Sequence, residues 1–364
     1  MPDISTEQVA VTRIAPPARL DGPEAAPFLE MVRIGNAVCR HDTGHDDLAQ
    51  EPAEMLGFWQ DQTYWGQEGF VAERNGAIIG ALKLSYSKED GATALEFDLM
   101  VDPEHWGEGA EQALLGVVED EARSLGRTVV QTWTLHRPDA GGHRLEPSTG
   151  WGSIPAEDRQ TVLHLTHGFT LEQVERNSAF DLRGSFELVE RMLHDSLRAA
   201  GDDYRVVEWT SPTPPEHLDS FAYAISRMST DAPQGGLVIE EEKWDAERVR
   251  ARDERLRSQG LLASLACVVH VPTGAIVAFN ELVIGEDRSA ATQQYGTLVV
   301  REHRGRRLGT VVKCANLIRW RDLVPESPRV TTFNAEENRH MLAINEAIGF
   351  EAVSYAGAWK KMLT

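Results

Sequence analysis

The sequence predicts an α/β (α+β) fold in which one arrangement of strands and helices occurs twice in tandem, and three observations carry that reading. The first is an internal echo. Val101-Asp-Pro-Glu-His-Trp-Gly-Glu-Gly109 follows the β-rich run Ala94 to Val101 and leads into the apolar-periodic stretch Ala113 to Leu125. Val299-Val-Arg-Glu-His-Arg-Gly-Arg-Arg307 follows Thr292 to Val300 and leads into Leu308 to Leu323. The second is a Gly-Phe pair closing a helical pattern in each half, Gly168-Phe169 and Gly349-Phe350, with a β-rich tail after each. The third is the spacing. Gly107 and Gly305 lie 198 residues apart, Gly168 and Gly349 lie 181 apart, and the Gly/Pro/Ser-rich segment 137–155 supplies the longer insertion of the first half as a surface loop.

The elements follow in order. Residues 1–182 form a first domain, 183–203 a connection and 204–364 a second domain. The connection begins within a segment that runs as a strand from Phe180, continues as a helix over 185–199 and stops at Gly201. The second half reads as strand 204–210, helix 215–228, a loop of turn residues 229–236 and a charged helix 240–258. Strands 261–270 and 275–284 are joined at Pro272-Thr-Gly274. Strand 292–300, helix 307–323, strand 329–334, helix 338–348 and a strand over 351–362 complete it. The first half repeats this order less clearly.

Composition narrows the function classes. The 364 residues are 41% hydrophobic and 26% charged, a globular balance with enough chain for a sizeable core. Three scattered cysteines, Cys39, Cys267 and Cys314, make neither a disulfide framework nor a metal motif, as expected of a reducing cytoplasmic compartment. No secretory signal is read at the N-terminus, and the most apolar run, 261–271, is too short to cross a bilayer. The net charge of −21 opposes nucleic-acid and anionic-membrane partners. It serves solubility and is compatible with a cationic amine. His136, His143, His164 and His167 lie close in the chain, the second pair on a helical pattern and the first pair in a loop. None of these has metal-ligand spacing, and no metal is expected.

Arg304-Gly-Arg-Arg-Leu-Gly309 sits between a strand and a helix. A helix N-terminus offers unpaired N–H groups and the positive end of its dipole, and glycines let a ligand approach the backbone. Three arginines against an acidic background strengthen the case for an anion cradle over a plain strand-to-helix turn.

This segment resembles the acyl-CoA pyrophosphate loop of GNAT acetyltransferases, Arg/Gln-x-x-Gly-x-Gly/Ala. Asn338-x-x-Met341 and Ala347-Ile-Gly-Phe350 resemble the family's final helix and exit. The resemblance covers the chain from Tyr204 well and 11–182 in degenerate form. The whole is similar to tandem GNAT proteins of actinobacterial type, with mycothiol synthase as a distant comparison. It implies two domains, each a mixed, mostly antiparallel twisted sheet flanked by helices, and an acyl-CoA, acetyl-CoA above all, as co-substrate. Leu298, Val299 and Val300 would pair with pantetheine. Arg304, Gly305, Arg306, Arg307, Leu308, Gly309 and Thr310 would hold the pyrophosphate, and Asn338 would face the cofactor arm. Arg307 departs from the pattern, which has glycine at its fourth place. The first half has Trp106, Gly107, Glu108, Gly109, Ala110 and Glu111 at the matching places, so it is expected to bind no CoA and to serve structurally or cover the acceptor cleft.

Direct transfer in a ternary complex needs a base for the amine and an acid for the thiolate, with no covalent nucleophile. Cys314 and Cys267 read as buried and inert, and Trp59, Tyr64 and Trp65 as core. Asn345 occupies the place of the family's acidic Tyr, with Tyr355 as a possible substitute. Glu281 and Tyr295 are candidates for proton transfer, each set against a purely structural role. Asp231 and Gln294 are candidates for binding the acceptor. The acceptor is expected to be a small-molecule amine and the protein a monomer or homodimer. The alternatives are a non-catalytic acyl-CoA-binding or sensing protein and a tRNA-dependent aminoacyl transferase.

Overall fold

The computed structural model describes residues 9–139 and 141–363. They divide into two compact units that do not follow the chain in two blocks. Unit 1 holds Met1–Val174, Gly235–Glu240 and Tyr355–Thr364, and unit 2 holds Glu175–Gln234 and Glu241–Ser354.

Unit 1 contains strands β1 (Ala10–Ile14), β2 (Trp65–Arg74), β3 (Ala77–Ser87), β4 (Ala94–Val101) and β5 (Val129–His136), and a small hairpin of β6 (Arg144–Leu145) and β7 (Ile154–Pro155). Its helices are α1 (Ala26–Thr43), α2 (Pro52–Gln60), α3 (Ala110–Ser124) and α4 (Arg159–Thr166). β1 to β4 pair antiparallel in sequence order, and β4 meets β5 in parallel. Side chains alternate across a strand. Phe70 and Ala72 therefore enter the core under α3 and α4, while Val71 enters the core under α1 and α2 with Phe28, Met31 and Trp59. The far edge of β5 is taken by residues 355–362, which pair antiparallel from Tyr355↔His136 to Met362↔Val129.

Unit 2 repeats the plan. It holds β8 (Thr170–Asp181) from Glu175 onward, β9 (Tyr204–Thr210), β10 (Leu262–His270), β11 (Ala275–Ile284), β12 (Thr292–Val299), β13 (Arg329–Ala335) and the start of β14 (Glu351–Met362). Its helices are α5 (Glu187–Ala200), α6 (Leu218–Ser226), α7 (Met228–Asp231), α8 (Ala246–Ser258), α9 (Leu308–Leu323) and α10 (Arg339–Ile348). β9 to β12 are antiparallel, β12 meets β13 in parallel, and 175–181 of β8 close the edge of β13. One face packs against α6 and α8 and the other against α5 and α9.

Several expectations need correction. The charged helix starts at Ala246 rather than at 240, because Asp245 accepts from the Arg248 N–H (2.8 Å) and caps it. Residues 235–240 instead join unit 1, where Val238 N–H donates to Gln131 Oε1 (2.6 Å) and Glu240 accepts from Thr93 N–H (2.6 Å). His136 lies on β5 rather than in a loop. The helix expected over 215–228 starts at Leu218 after a 3-10 turn at Pro215–His217, and the short helix α7 (Met228–Asp231) takes the start of the loop expected over 229–236; the other strands and helices of the second half fall within about two residues of their expected ends, the usual latitude of such boundaries.

Candidate functional site

The strand-to-helix turn is built twice with the same backbone. Trp106 (φ −63, ψ 132) matches Arg304 (φ −65, ψ 161), and Gly107 (φ 87) matches Gly305 (φ 81). Gly109 (φ 96, ψ 0) matches Arg307 (φ 58, ψ 17), each preceding the first residue of its helix. The fourth place of the pattern therefore requires the left-handed region. Glycine enters it freely, whereas arginine there costs about 1–2 kcal/mol. The departure at Arg307 leaves the course of the loop unchanged and is met by strain.

What fills the two turns differs. In unit 1 the buried Glu111 side chain bends back, and its Oε1 accepts the Gly107 N–H at 2.5 Å. A carboxylate of the chain itself occupies the donor cradle. Glu108 is held aside by Arg74 (2.8 Å), and Arg159 stacks on Trp106 (4.5 Å). In unit 2 the residue matching Glu111 is Gly309. The backbone N–H groups of Gly305 to Thr310 meet no acceptor among the described residues. A Cβ on Gly309 would lie 3.3 Å from Ile344 Cδ1 and 3.7 Å from Val299 Cγ2, so α9, α10 and the end of β12 close around this point. Arg306 leans over the Tyr204 ring (5.5 Å), whose hydroxyl bonds His303 Nδ1 (2.9 Å). Burial holds the His303 imidazole below its ordinary pKa.

Below the turn the sheet opens. β12 pairs with β13 only at Thr292↔Val330 and Gln293↔Thr331, although both strands continue. A bulge against β11, where Glu281 faces Gly296 and Leu282 faces Gln294, adds Tyr295 to β12 and turns the strand away. From Gln294 to Val299 the β13-facing edge of β12 has no strand partner. Leu298 and Val300 anchor it in the core, and Val299 carries backbone toward the turn.

The mouth of this opening is lined by amides. Gln294 Nε2 donates to Thr332 Oγ1 (2.7 Å), while its Oε1 accepts from Asn280 Nδ2 (2.8 Å) and Lys313 Nζ (2.8 Å). Asn345 Nδ2 donates to Asn334 Oδ1 (2.6 Å), and its own Oδ1 is buried without a partner. Thr332 and Asn334 lie on the same face of β13. Lys313 is 1% exposed and its Nζ stands 5.3 Å over the Phe350 ring. Desolvation brings its pKa down to about 7. Lys313 was not among the residues picked out by sequence, although it lies one turn after Gly309 on the buried face of α9.

The other candidates fall in distinct places. The side chain of Asp231 is fully buried, accepting from Arg227 Nη2 (2.5 Å) and, on Oδ2, from Arg304 Nη2 (3.3 Å). Arg304 also donates through Nε to Val299 O (3.0 Å). A candidate for the acceptor and a candidate for the phosphates are thus paired with one another. Glu281 is buried, and both its oxygens accept from Arg252 Nη2 (2.6 and 2.5 Å). This ion pair accounts for the carboxylate within an apolar strand. Tyr295 is 45% exposed at the bulge. Asn338 caps α10, accepting from Met341 N–H (3.4 Å). Tyr355 packs with the core of unit 1. Burial pushes the Cys314 thiol up to about 12 and raises that of Cys267. No group of three His, Cys, Asp or Glu able to hold a metal occurs among the described residues, and no described helix is long and apolar enough to cross a membrane.

Unit 1 keeps a cavity of about 190 Å³ between α1, β4 and β5, bordered by the Lys83–Asp98 ion pair (2.7 Å).

Residues 39–145 match the family model described as acetyltransferase (GNAT) family. That region is in unit 1 and includes the turn that Glu111 fills. No curated protein matches the sequence. Among solved structures, a tandem GNAT protein from the clavulanic acid biosynthesis pathway is similar over 98% of this chain and 98% of its own, with a TM-score of 0.71 and 23% identity. A GCN5-related N-acetyltransferase from Sphaerobacter thermophilus is similar over 97% of this chain and 95% of its own, with a TM-score of 0.60 and 15% identity. The fold is that of a tandem GNAT protein.

Proposed function

Given a tandem GNAT fold, and a GNAT acetyltransferase model matched at residues 39–145, we propose that this protein is an acyl-CoA-dependent N-acyltransferase whose acyl-CoA site lies in unit 2. The observation that carries the proposal is the contrast between the two turns. A diphosphate needs unspent N–H donors, cationic side chains and no carboxylate among them. The 305–310 turn supplies the first two and lacks the third, whereas Glu111 already occupies its counterpart. The open edge of β12 and the unpartnered Asn345 Oδ1 suit the amides of a pantetheine arm.

In this reading acetyl-CoA, or a close relative, is a substrate. Arg306, Arg307 and the N–H groups of Gly305 to Thr310 bind its phosphates. The backbone of Leu298 to Val300 orients the arm, and a small-molecule amine attacks the thioester carbonyl directly. Arg304 joins the phosphates by leaving Asp231, whose carboxylate stays paired with Arg227. In this reading Glu281 is the buried ion-pair partner of Arg252 and is not assigned a proton-transfer step.

Calorimetric titration with acetyl-CoA tests the site. Binding with one equivalent is expected. Arg304→Glu should weaken it by about 10²-fold or more, the loss of one charge-assisted contact of about 2–3 kcal/mol plus repulsion. Trp106→Ala should leave affinity unchanged, and a large loss there would place the site in the wrong unit. CoA release against a panel of amines then separates a transferase from a protein that only binds the thioester.

A further inference from the structure

The place where the family's acidic Tyr would stand is occupied by Asn345, so the proposed reaction lacks its usual source of a proton for the departing sulfur. Resting on the reading above, we propose that Lys313 supplies that proton.

The argument is one of position. A pantetheine arm that follows the open edge of β12 from the 305–310 turn ends where β12 and β13 meet, just beyond Gln293↔Thr331. Gln294 bridges the strands at that point by donating to Thr332, and Lys313 Nζ is bonded to the same side chain at 2.8 Å. Asn345 is bonded to Asn334, two residues farther along the same face of β13. An ammonium has three donors. One is given to Gln294 and the aromatic face of Phe350 lies beside the group, which leaves N–H bonds for a ligand atom at the junction. Asn316 and Asn280 hold Gln294 in register, through Asn316 Nδ2 to Asn280 Oδ1 (2.8 Å) and Asn280 Nδ2 to Gln294 Oε1 (2.8 Å).

The group also suits the task. Burial lowers its pKa to about 7, and Cys314 on its own helix is the one titratable neighbour acting on it. The other side chains that meet Nζ, Gln294 on β12 and Phe350 after α10, carry no charge. A donor with a pKa near the operating pH is both protonated and willing to part with its proton.

The step balances. The amine nitrogen forms a bond to the thioester carbon. The C–S bond breaks with its electron pair on sulfur, and a Lys313 N–H proton passes to that sulfur. The proton released by the new amide nitrogen goes to water, from which Lys313 recovers its own.

The chain has only six lysines, so the side-chain nitrogens of 15N-lysine-labelled protein can be followed singly. One signal should titrate near neutral pH and disappear in Lys313→Met, a change of shape small enough to keep the fold. Adding CoA should move that signal, while desulfo-CoA, bound with similar affinity by calorimetry, should move it much less. Equal responses to the two ligands, or CoA bound with no response, would overturn the assignment of Lys313 and leave the acyl-CoA site standing. If CoA does not bind at all, the site fails and this assignment fails with it.

Discussion

Grafting the carboxylate of unit 1 into unit 2 separates the two turns most directly. Gly309→Glu places at α9 the residue that α3 carries at 111, on a backbone of the same course. Glu111 Oε1 takes the Gly107 N–H at 2.5 Å, so a glutamate at 309 should take the N–H of Gly305. The new Cβ meets the terminal methyl of Ile344 at 3.3 Å, a contact relieved by a small rotation of that side chain. The fold should survive with a loss of about 1–3 kcal/mol, as for overpacking at a buried position. Binding should not survive. Two N–H bonds to phosphate, each about 1.5–3 kcal/mol for a charged acceptor, are lost, which is about 3–6 kcal/mol or a 10²–10⁴-fold rise in Kd. Calorimetry with acetyl-CoA reads this, with thermal denaturation of the free protein as the control for folding. Binding of the variant within threefold of the parent would refute the claim that these amides receive the diphosphate.

Three further outcomes follow from the same geometry. Lys313 has a lowered pKa, so the unfolded chain binds the extra proton between pH 7 and pH 10.5; its burial cost is fully present below about pH 7 and disappears as pH rises toward 10.5. Lys313→Met should therefore raise unfolding free energy by on the order of 3–5 kcal/mol at pH 7 and much less at pH 10.5, as measured by denaturant titration at both values. Glu281→Ala should cost about 3–5 kcal/mol by leaving Arg252 buried and unpaired, and Glu281→Leu with Arg252→Leu should recover most of it; recovery of stability without a change in the pH dependence of turnover would fit a structural pair. Arg307→Gly should relieve the left-handed strain at φ 58 and, after the entropy cost of glycine, stabilise by about 0.5–1 kcal/mol in thermal unfolding while weakening acetyl-CoA binding through the lost cation.

The sequence carried the repeat and the turn well because both depend on local signals. Glycines at 107, 109, 305 and 309 and the apolar stripes after them report backbone course within a few residues. It carried the chemistry less well, because a side chain's role is set by partners far along the chain. Glu281 reads as a desolvated carboxylate until Arg252, 29 residues earlier, is seen to hold it. Asp231 reads as a substrate anchor until it is found on Arg304, 73 residues away. Glu111 stands out in the sequence by its charge, but only the fold shows that its oxygen accepts the Gly107 N–H. Lys313 was legible in part, as a lone lysine one turn after Gly309, yet its bond to Gln294 at the strand junction depends on the parting of β12 and β13.

The strand formed by residues 355–362 comes off the ribosome after all of unit 2, yet it supplies eight consecutive partners to β5 and buries Trp359 against His164 (5.4 Å) in the earlier unit. Until it arrives, β5 has a bare edge and the 359 site in the core is a hole, a state prone to pairing with other chains. The first unit thus cannot finish before the second has been synthesised. A fragment stopping near residue 182 should be recovered as aggregate, and adding a peptide spanning 351–364 in trans should rescue its solubility.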